Sequence, residues 1–397
     1  MDPSKSDPSL VEGQALLAER VFDGHRWHAD AAVLIRDRRI LGIGSRAEIP
    51  AGWALSQLPA DTFLAPGFID LQVNGGGGAL LNDQPTAQQM RSIAKAHRRY
   101  GTTACLPTLI SDTRERIQSA ILAARSAAGS DGVLGLHLEG PFISPRRPGV
   151  HQPDRIIVPQ QGDLEALCEL AEAGRSLVTL APERVPETFI RKLAASGIRV
   201  SIGHSEASAT VVTQAIADGA TGVTHLFNAM PPLSAREPGI SGMALADDRL
   251  TAGLIVDGFH VDPVAVRAAF AAKGAERIVL VTDAMPTVGA TLDQFVLGDR
   301  TIKLVNGKLS TEGGTLAGAH LDMASAVRNS VTLGHIPLED ALQAAALSPA
   351  RFLGLDGERG AIFPGARADL VALNGELAVV ATWIDGSVEN YGTSLLH

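Results

Sequence analysis

A glutamate and several histidines have the types and the placing to hold an ion. Glu139 in GLHLEGPF, His204 in VSIGHSEAS, His225 in GVTHLFNAMPP and His260 in LIVDGFHVD each close or follow an apolar run, and spacing alone does not choose among the histidines. One carboxylate and two imidazoles suit a catalytic zinc-like ion, because three protein ligands leave a position for water. Singly, each has a plainer reading: a lone histidine is more often a satisfied structural residue, and Glu139 before Gly-Pro would serve as a turn cap. Their joint recurrence after strand-like runs lifts the set above those readings. Asn228 beside His225 and Asp283 in IVLVTDAMP repeat the placing. His137 shares the parity of Glu139 and either faces inward beside it or packs. His320 follows GGTLAGA, a candidate site loop. His25, His28, His97, His335 and His397 lie outside the pattern and are expected at the surface.

In FIDLQVNGGGG, Ile69, Leu71 and Val73 alternate with Asp70, Gln72 and Asn74. Alternate residues of a strand share a face, so Gln72 and Asn74 point the same way near its end. The glycines fit neither a dinucleotide motif nor a P-loop. They are read as permitting a tight turn or a close backbone approach.

The elements that must position these residues follow one rhythm. Strand-like runs end near Val73, Pro107, Glu139, Leu180, Gly203, Leu226, Asp257 and Asp283. Helical patterns lie between most of them, several stopping at glycine. Eight such β–α repeats predict an α/β fold, a closed (β/α)8 TIM-like barrel, with a doubly wound open sheet as the alternative. In a barrel the strand C-termini and following loops build the site, and the polar residues above fall there. The segment AAVLIRDRRILGIG reads as a hairpin around Asp37-Arg38. After two late helices, ADLVALNG and VVATWIDGS return to strand patterns. The chain ends are therefore expected to meet in a small β-sandwich domain, dividing the sequence into 1–63, 64–355 and 356–397.

Composition narrows the function classes. The 397 residues are 45% hydrophobic, ample for a core, and carry a formal net charge of −9, which argues against a general nucleic-acid binder. Two cysteines give neither a disulfide framework nor a zinc cluster. The first residues lack the basic start and apolar stretch of a signal peptide, and no apolar run approaches the ~20 residues that span a bilayer. A cytoplasmic protein without membrane or nucleic-acid partners is expected, its residues 1–14 polar and frayed.

Taken in order, PGFIDLQVNG, LHLEGPF, GHSEAS, THLFNAMPPLSAREPG, DGFHVD, LVTDAM and GTLAGA resemble the N-acetylglucosamine-6-phosphate deacetylases of the amidohydrolase superfamily, over about residues 64 to 355. The resemblance implies an enzyme that hydrolyses the N-acetyl group of an amino sugar phosphate to acetate and glucosamine 6-phosphate. It implies Glu139, His204 and His225 as ligands of one divalent ion per subunit, with zinc favoured and iron, cobalt or manganese as alternatives. It implies Asp283 as general acid/base and His151 beside the acetyl carbonyl. Asn228, Ala229 and His260 match contacts to the sugar phosphate, and Leu316, Ala317 and Gly318 match a loop beside the sugar. Arg236 matches an arginine donated to the neighbouring site of a homodimer. Where many amidohydrolases carry His-x-His, this chain has Gln72-x-Asn74, and neutral amides are poor ligands for a transition metal. A single ion is expected, with Gln72 hydrogen-bonding the substrate or the attacking water. Another N-acyl amino sugar phosphate, a cyclic amide or a non-catalytic scaffold are the alternatives. SPRRPG before His151 and AMPTVG after Asp283 depart from the family pattern and are expected to bear on substrate preference.

Overall fold

Eight short buried runs pair in parallel and in chain order to form the central sheet of the computed structural model, which describes residues 13–391. These strands are β1 (Phe68–Val73), β2 (Thr102–Ile110), β3 (His137–Glu139), β4 (Leu177–Leu180), β5 (Arg199–Ile202), β6 (Gly222–Val223), β7 (Thr251–Leu254) and β8 (Ile278–Leu280). The segment after β8 returns to β1. Ala284 bridges Val73, the Asp283 N–H donates to the Gln72 carbonyl at 2.9 Å, and the Thr282 hydroxyl donates to the Asp70 carboxylate at 2.5 Å. The ring closes as a barrel, and the open-sheet alternative falls. Burial at this seam outweighs the hydrogen bonds from Thr282 and raises the Asp70 carboxyl to about 7.

β2 runs three residues past its expected end at Pro107. Proline breaks a ladder unless a bulge accommodates it. Here the β1–β2 register shifts between Asp70 and Val73, and the Val73 N–H donates to the Thr108 hydroxyl at 2.9 Å.

The surrounding helices start where short polar side chains cap them. Thr86, Thr113, Ser208, Asp262 and Asp322 each accept a backbone N–H of the first turn. Such caps contribute about 1 kcal/mol apiece. The last helical pattern is interrupted at Ala346, giving Leu338–Ala345 and Leu347–Leu353. No helix among the described residues is long and apolar enough to cross a membrane.

Both chain ends join one eight-stranded sheet, linked where Thr62–Pro66 pairs antiparallel with Leu370–Asn374. Asp37 and Arg38 turn the expected hairpin with φ of 52° and 66°, the left-handed pair that matches strand twist. Leu16, Val33, Ile40, Leu64 and Trp383 belong to this sheet's own buried cluster. Gln14 opens its first strand, while residues 1–12 and His397 lie outside the described residues.

Two elements escape the sequence reading. Gly239–Ala246 is a helix, and 294–311 forms a three-stranded antiparallel sheet. That sheet rests on a separate apolar cluster with Leu80, Ile110 and Met285, at the C-terminal end of the barrel.

Candidate active site

Strand ends deliver the side chains, and sharp backbone turns aim them. His204, His225 and Asp283 follow β5, β6 and β8 with φ of 48°, 33° and 51°. Left-handed backbone costs about 1–3 kcal/mol at a non-glycine residue and persists only where the surroundings enforce it. The three side chains converge over the barrel mouth with Glu139 at the end of β3. Glu139 Oε1 lies 2.9 Å from His225 Nε2 and 3.2 Å from His204 Nε2, and the two nitrogens are 3.0 Å apart. Ligand atoms at about 2.0–2.1 Å from a tetrahedral ion stand about 3.3 Å from each other. The triangle fits one such ion.

The hydrogen bonds support that fit. His204 Nδ1 lies 2.8 Å from the Arg147 carbonyl, which accepts its proton and leaves an Nε2 lone pair facing a carboxylate oxygen. A cation between them reconciles the two. Burial would raise Glu139, but hydrogen bonds with His204 and His225 hold it well below the usual carboxylate range.

Glu139, His151 and His204 also offer ligand atoms within 4.8 Å of one another. The free nitrogen of His151 is the wrong kind for a ligand, however. The Ser111 N–H donates to its Nδ1 at 3.3 Å, with the Ser111 hydroxyl 2.7 Å away, so Nε2 carries the proton. Burial, then the neighbouring His204, lowers the His151 imidazole to about 3. It is a neutral donor facing the cavity.

The two amides behind the site point the same way, as the strand parity predicts. Gln72 Nε2 donates to Glu139 Oε1 at 3.1 Å and to Asp283 Oδ1 at 3.2 Å, and Asn74 Nδ2 donates to Asp283 Oδ1 at 2.5 Å. The structure thus directs Gln72 at two carboxylates, and it does not line the substrate-sized cavity. Burial, then the charge of Glu139, raises the Asp283 carboxyl to about 6. The glycines after Asn74 approach backbone closely. A Cβ on Gly75 would lie 2.4 Å from the Ala79 carbonyl, and one on Gly76 would lie 2.7 Å from His97 Nε2.

His97 is itself a correction. It is fully buried, and its Nε2 lies 2.9 Å from the Gly75 carbonyl, because the helix it ends packs on that glycine turn. His25 and His335 are exposed as expected, and His28 is half-buried against Asp23. His137 packs, its nitrogens 3.3 Å from the Thr108 hydroxyl and 2.7 Å from that of Thr179.

A cavity of about 370 Å³ opens over these groups. Asn228, Ala229, His260, Leu316 and Gly318 line it; Ala317 is buried in the adjoining apolar cluster instead. His320 is exposed and bonds Thr287. Arg236 is exposed, lies outside the cavity lining and makes no ion pair among the described residues; the Glu237 carboxylate caps Ala209 and Gly239 instead. Sequence reading missed Ser111 and Asp257. Asp257 holds His260 Nδ1 at 2.6 Å, a relation whose only sequence signal is the i,i+3 spacing in DGFH. The SPRRPG departure brings Arg146 and Arg147 to the cavity rim, where they pair with Glu206.

The amidohydrolase family model matches residues 63–388. An N-acetylgalactosamine-6-phosphate deacetylase of Shewanella sp. (strain ANA-3) is 38% identical over 397 residues, 98% of each chain. The N-acetylglucosamine-6-phosphate deacetylase of Homo sapiens is 40% identical over 346 residues, 82% of this chain and 83% of that one. The crystal structure of N-acetylglucosamine-6-phosphate deacetylase from Pasteurella multocida superposes with a TM-score of 0.92 at 32% identity, covering 96% of this chain and 100% of that chain. A hydrolytic barrel with this ion-sized triangle, matched along nearly its whole length, belongs to the amidohydrolase family, within its branch of N-acetyl amino-sugar 6-phosphate deacetylases.

Proposed function

We propose that the protein hydrolyses the acetamide of N-acetylglucosamine 6-phosphate, giving acetate and glucosamine 6-phosphate. The convergence of Glu139, His204 and His225 on one point, with Asp283 beside it, carries this reading. Those three residues would hold a divalent ion, with zinc favoured by the ligand set, which supplies Lewis acidity and lowers the pKa of water to about 7.

The chain's own groups do the rest. Asp283 Oδ1 is committed to two amides, leaving Oδ2 to take the proton of the attacking water and return it to the departing nitrogen. His151 donates from Nε2–H to the acyl oxygen, where negative charge develops. His260, oriented by Asp257, and the Asn228–Ala229 segment receive the phosphate. Arg236 reaches the site of a second copy, making the working form a homodimer. A sugar phosphate carries charge that keeps it from crossing a membrane, so the cytoplasm is the compartment we assign. We read residues 1–63 and 356–397 as the two parts of the small β domain and 64–355 as the catalytic barrel.

The test is acetate release from N-acetylglucosamine 6-phosphate, before and after chelation and with metal restored. Chelatable turnover is expected; a fully metallated protein that leaves the substrate intact overturns the reading. The full-length match to a galactosamine-type relative favours a second reading, the C4 epimer. Comparing kcat/KM on the two sugar phosphates decides between them.

A further inference from the structure

Resting on that reading, we propose that Ile110 is the partition that limits the acyl group to acetyl. Ile110 ends β2 and lies in register with Glu139 on β3. The next residue, Ser111, holds Nδ1 of His151, the donor facing the acyl oxygen. Asn228 and His260 follow β6 and β7, across the ring from β2. A sugar phosphate seated over β6 and β7, with its acyl oxygen on His151, directs its acyl methyl toward β2.

What stands there is an apolar wall with open space on both sides. Ile110, Val150 and Met285 line the 370 Å³ cavity and pack in the cluster under the three-stranded sheet. Ile110 also lines a neighbouring cavity of about 500 Å³, with Pro286, Phe295 and Leu297 among its apolar walls and Asp83, Asp112, Arg116 and Arg155 lining much of the rest. Its backbone is fixed from both directions. The Ile110 N–H donates to Asn82 Oδ1 at 3.1 Å, and Asn82 Nδ2 donates to the Ile110 carbonyl at 3.2 Å. The side chain therefore cannot retreat by moving its strand end, and a longer acyl chain meets it directly. Trimming it should join the two cavities, since Ile110 lines both.

The experiment compares N-acetyl-, N-propionyl- and N-butyrylglucosamine 6-phosphate as substrates of the metal-loaded protein and of Ile110→Ala. In the wild type each added methylene should lower kcat/KM by about tenfold or more. Ile110→Ala should raise the butyryl-to-acetyl ratio by at least about tenfold. A folded variant with an unchanged ratio overturns the proposal, as does a wild type that accepts butyryl as readily as acetyl. Should Ile110→Ala not fold, Ile110→Val must still raise the propionyl-to-acetyl ratio, and its failure to do so also overturns it. Failure is separable from that of the functional reading: a wild type inert on the acetyl substrate refutes the function, whereas an active one with these ratios unmet refutes only the partition.

Discussion

Asn74 donates its amide to Asp283 across the seam between the first and last barrel strands, at 2.5 Å. Together with Gln72 it occupies one carboxylate oxygen and leaves the other for the proton transfer proposed for Asp283. Asn74→Leu keeps the size and removes the donor. Its kcat should fall by up to about 100-fold while bound metal per chain stays unchanged, because displacement of a catalytic group by about 1 Å carries a penalty of that order. Steady-state kinetics paired with metal analysis checks it, and loss of metal instead would assign Asn74 to ion binding.

With Asp283 as the proposed general base, its raised carboxyl should set the acid side of the pH profile. A general base must be ionised, so kcat/KM should fall as pH drops through about 6. A cation nearby favours the carboxylate and moves this limb lower, never higher. A limb centred above 7 in the metal-loaded enzyme would contradict the assignment.

His151 is predicted to act on the acyl oxygen rather than on the ion. Removing one oxyanion donor costs roughly 10²- to 10³-fold in kcat. His151→Asn should show that loss at normal metal stoichiometry. His204→Asn, by contrast, should lose the metal itself.

Metal removal should also be visible without turnover. A ligand at about 1,000 times its Kd stabilises the folded state by about 4 kcal/mol. Chelation should therefore lower the melting temperature, and restoring one equivalent of ion per chain should recover it.

Arg236→Ala tests the second copy. KM should rise for the phosphorylated sugar and stay unchanged for the unphosphorylated one. An equal loss on both would remove the phosphate role.

The barrel was legible because apolar strand-like runs recur between helical patterns, and because notable polar residues sit where those runs stop. Glu139, His204, His225 and Asp283 stand out for that reason. What sequence could not display are partners brought together from far along the chain. The Arg147 carbonyl reaches His204 across 57 residues, and Ser111 reaches His151 across 40. His97 reads as a surface residue because it follows no strand-like run; only the packing on Gly75 buries it. The 294–311 sheet alternates weakly and is half-exposed, so its strands lack the apolar runs that mark the barrel.

His204, His225 and Asp283 stand on positive-φ backbone that few residues other than glycine adopt, and this has an evolutionary consequence. Glycine adopts that geometry without steric strain. A library of this protein sorted for heat resistance in metal-free medium would drift toward glycine at those three places. Hydrolysis would be the first property such a lineage shed, well before its barrel came apart.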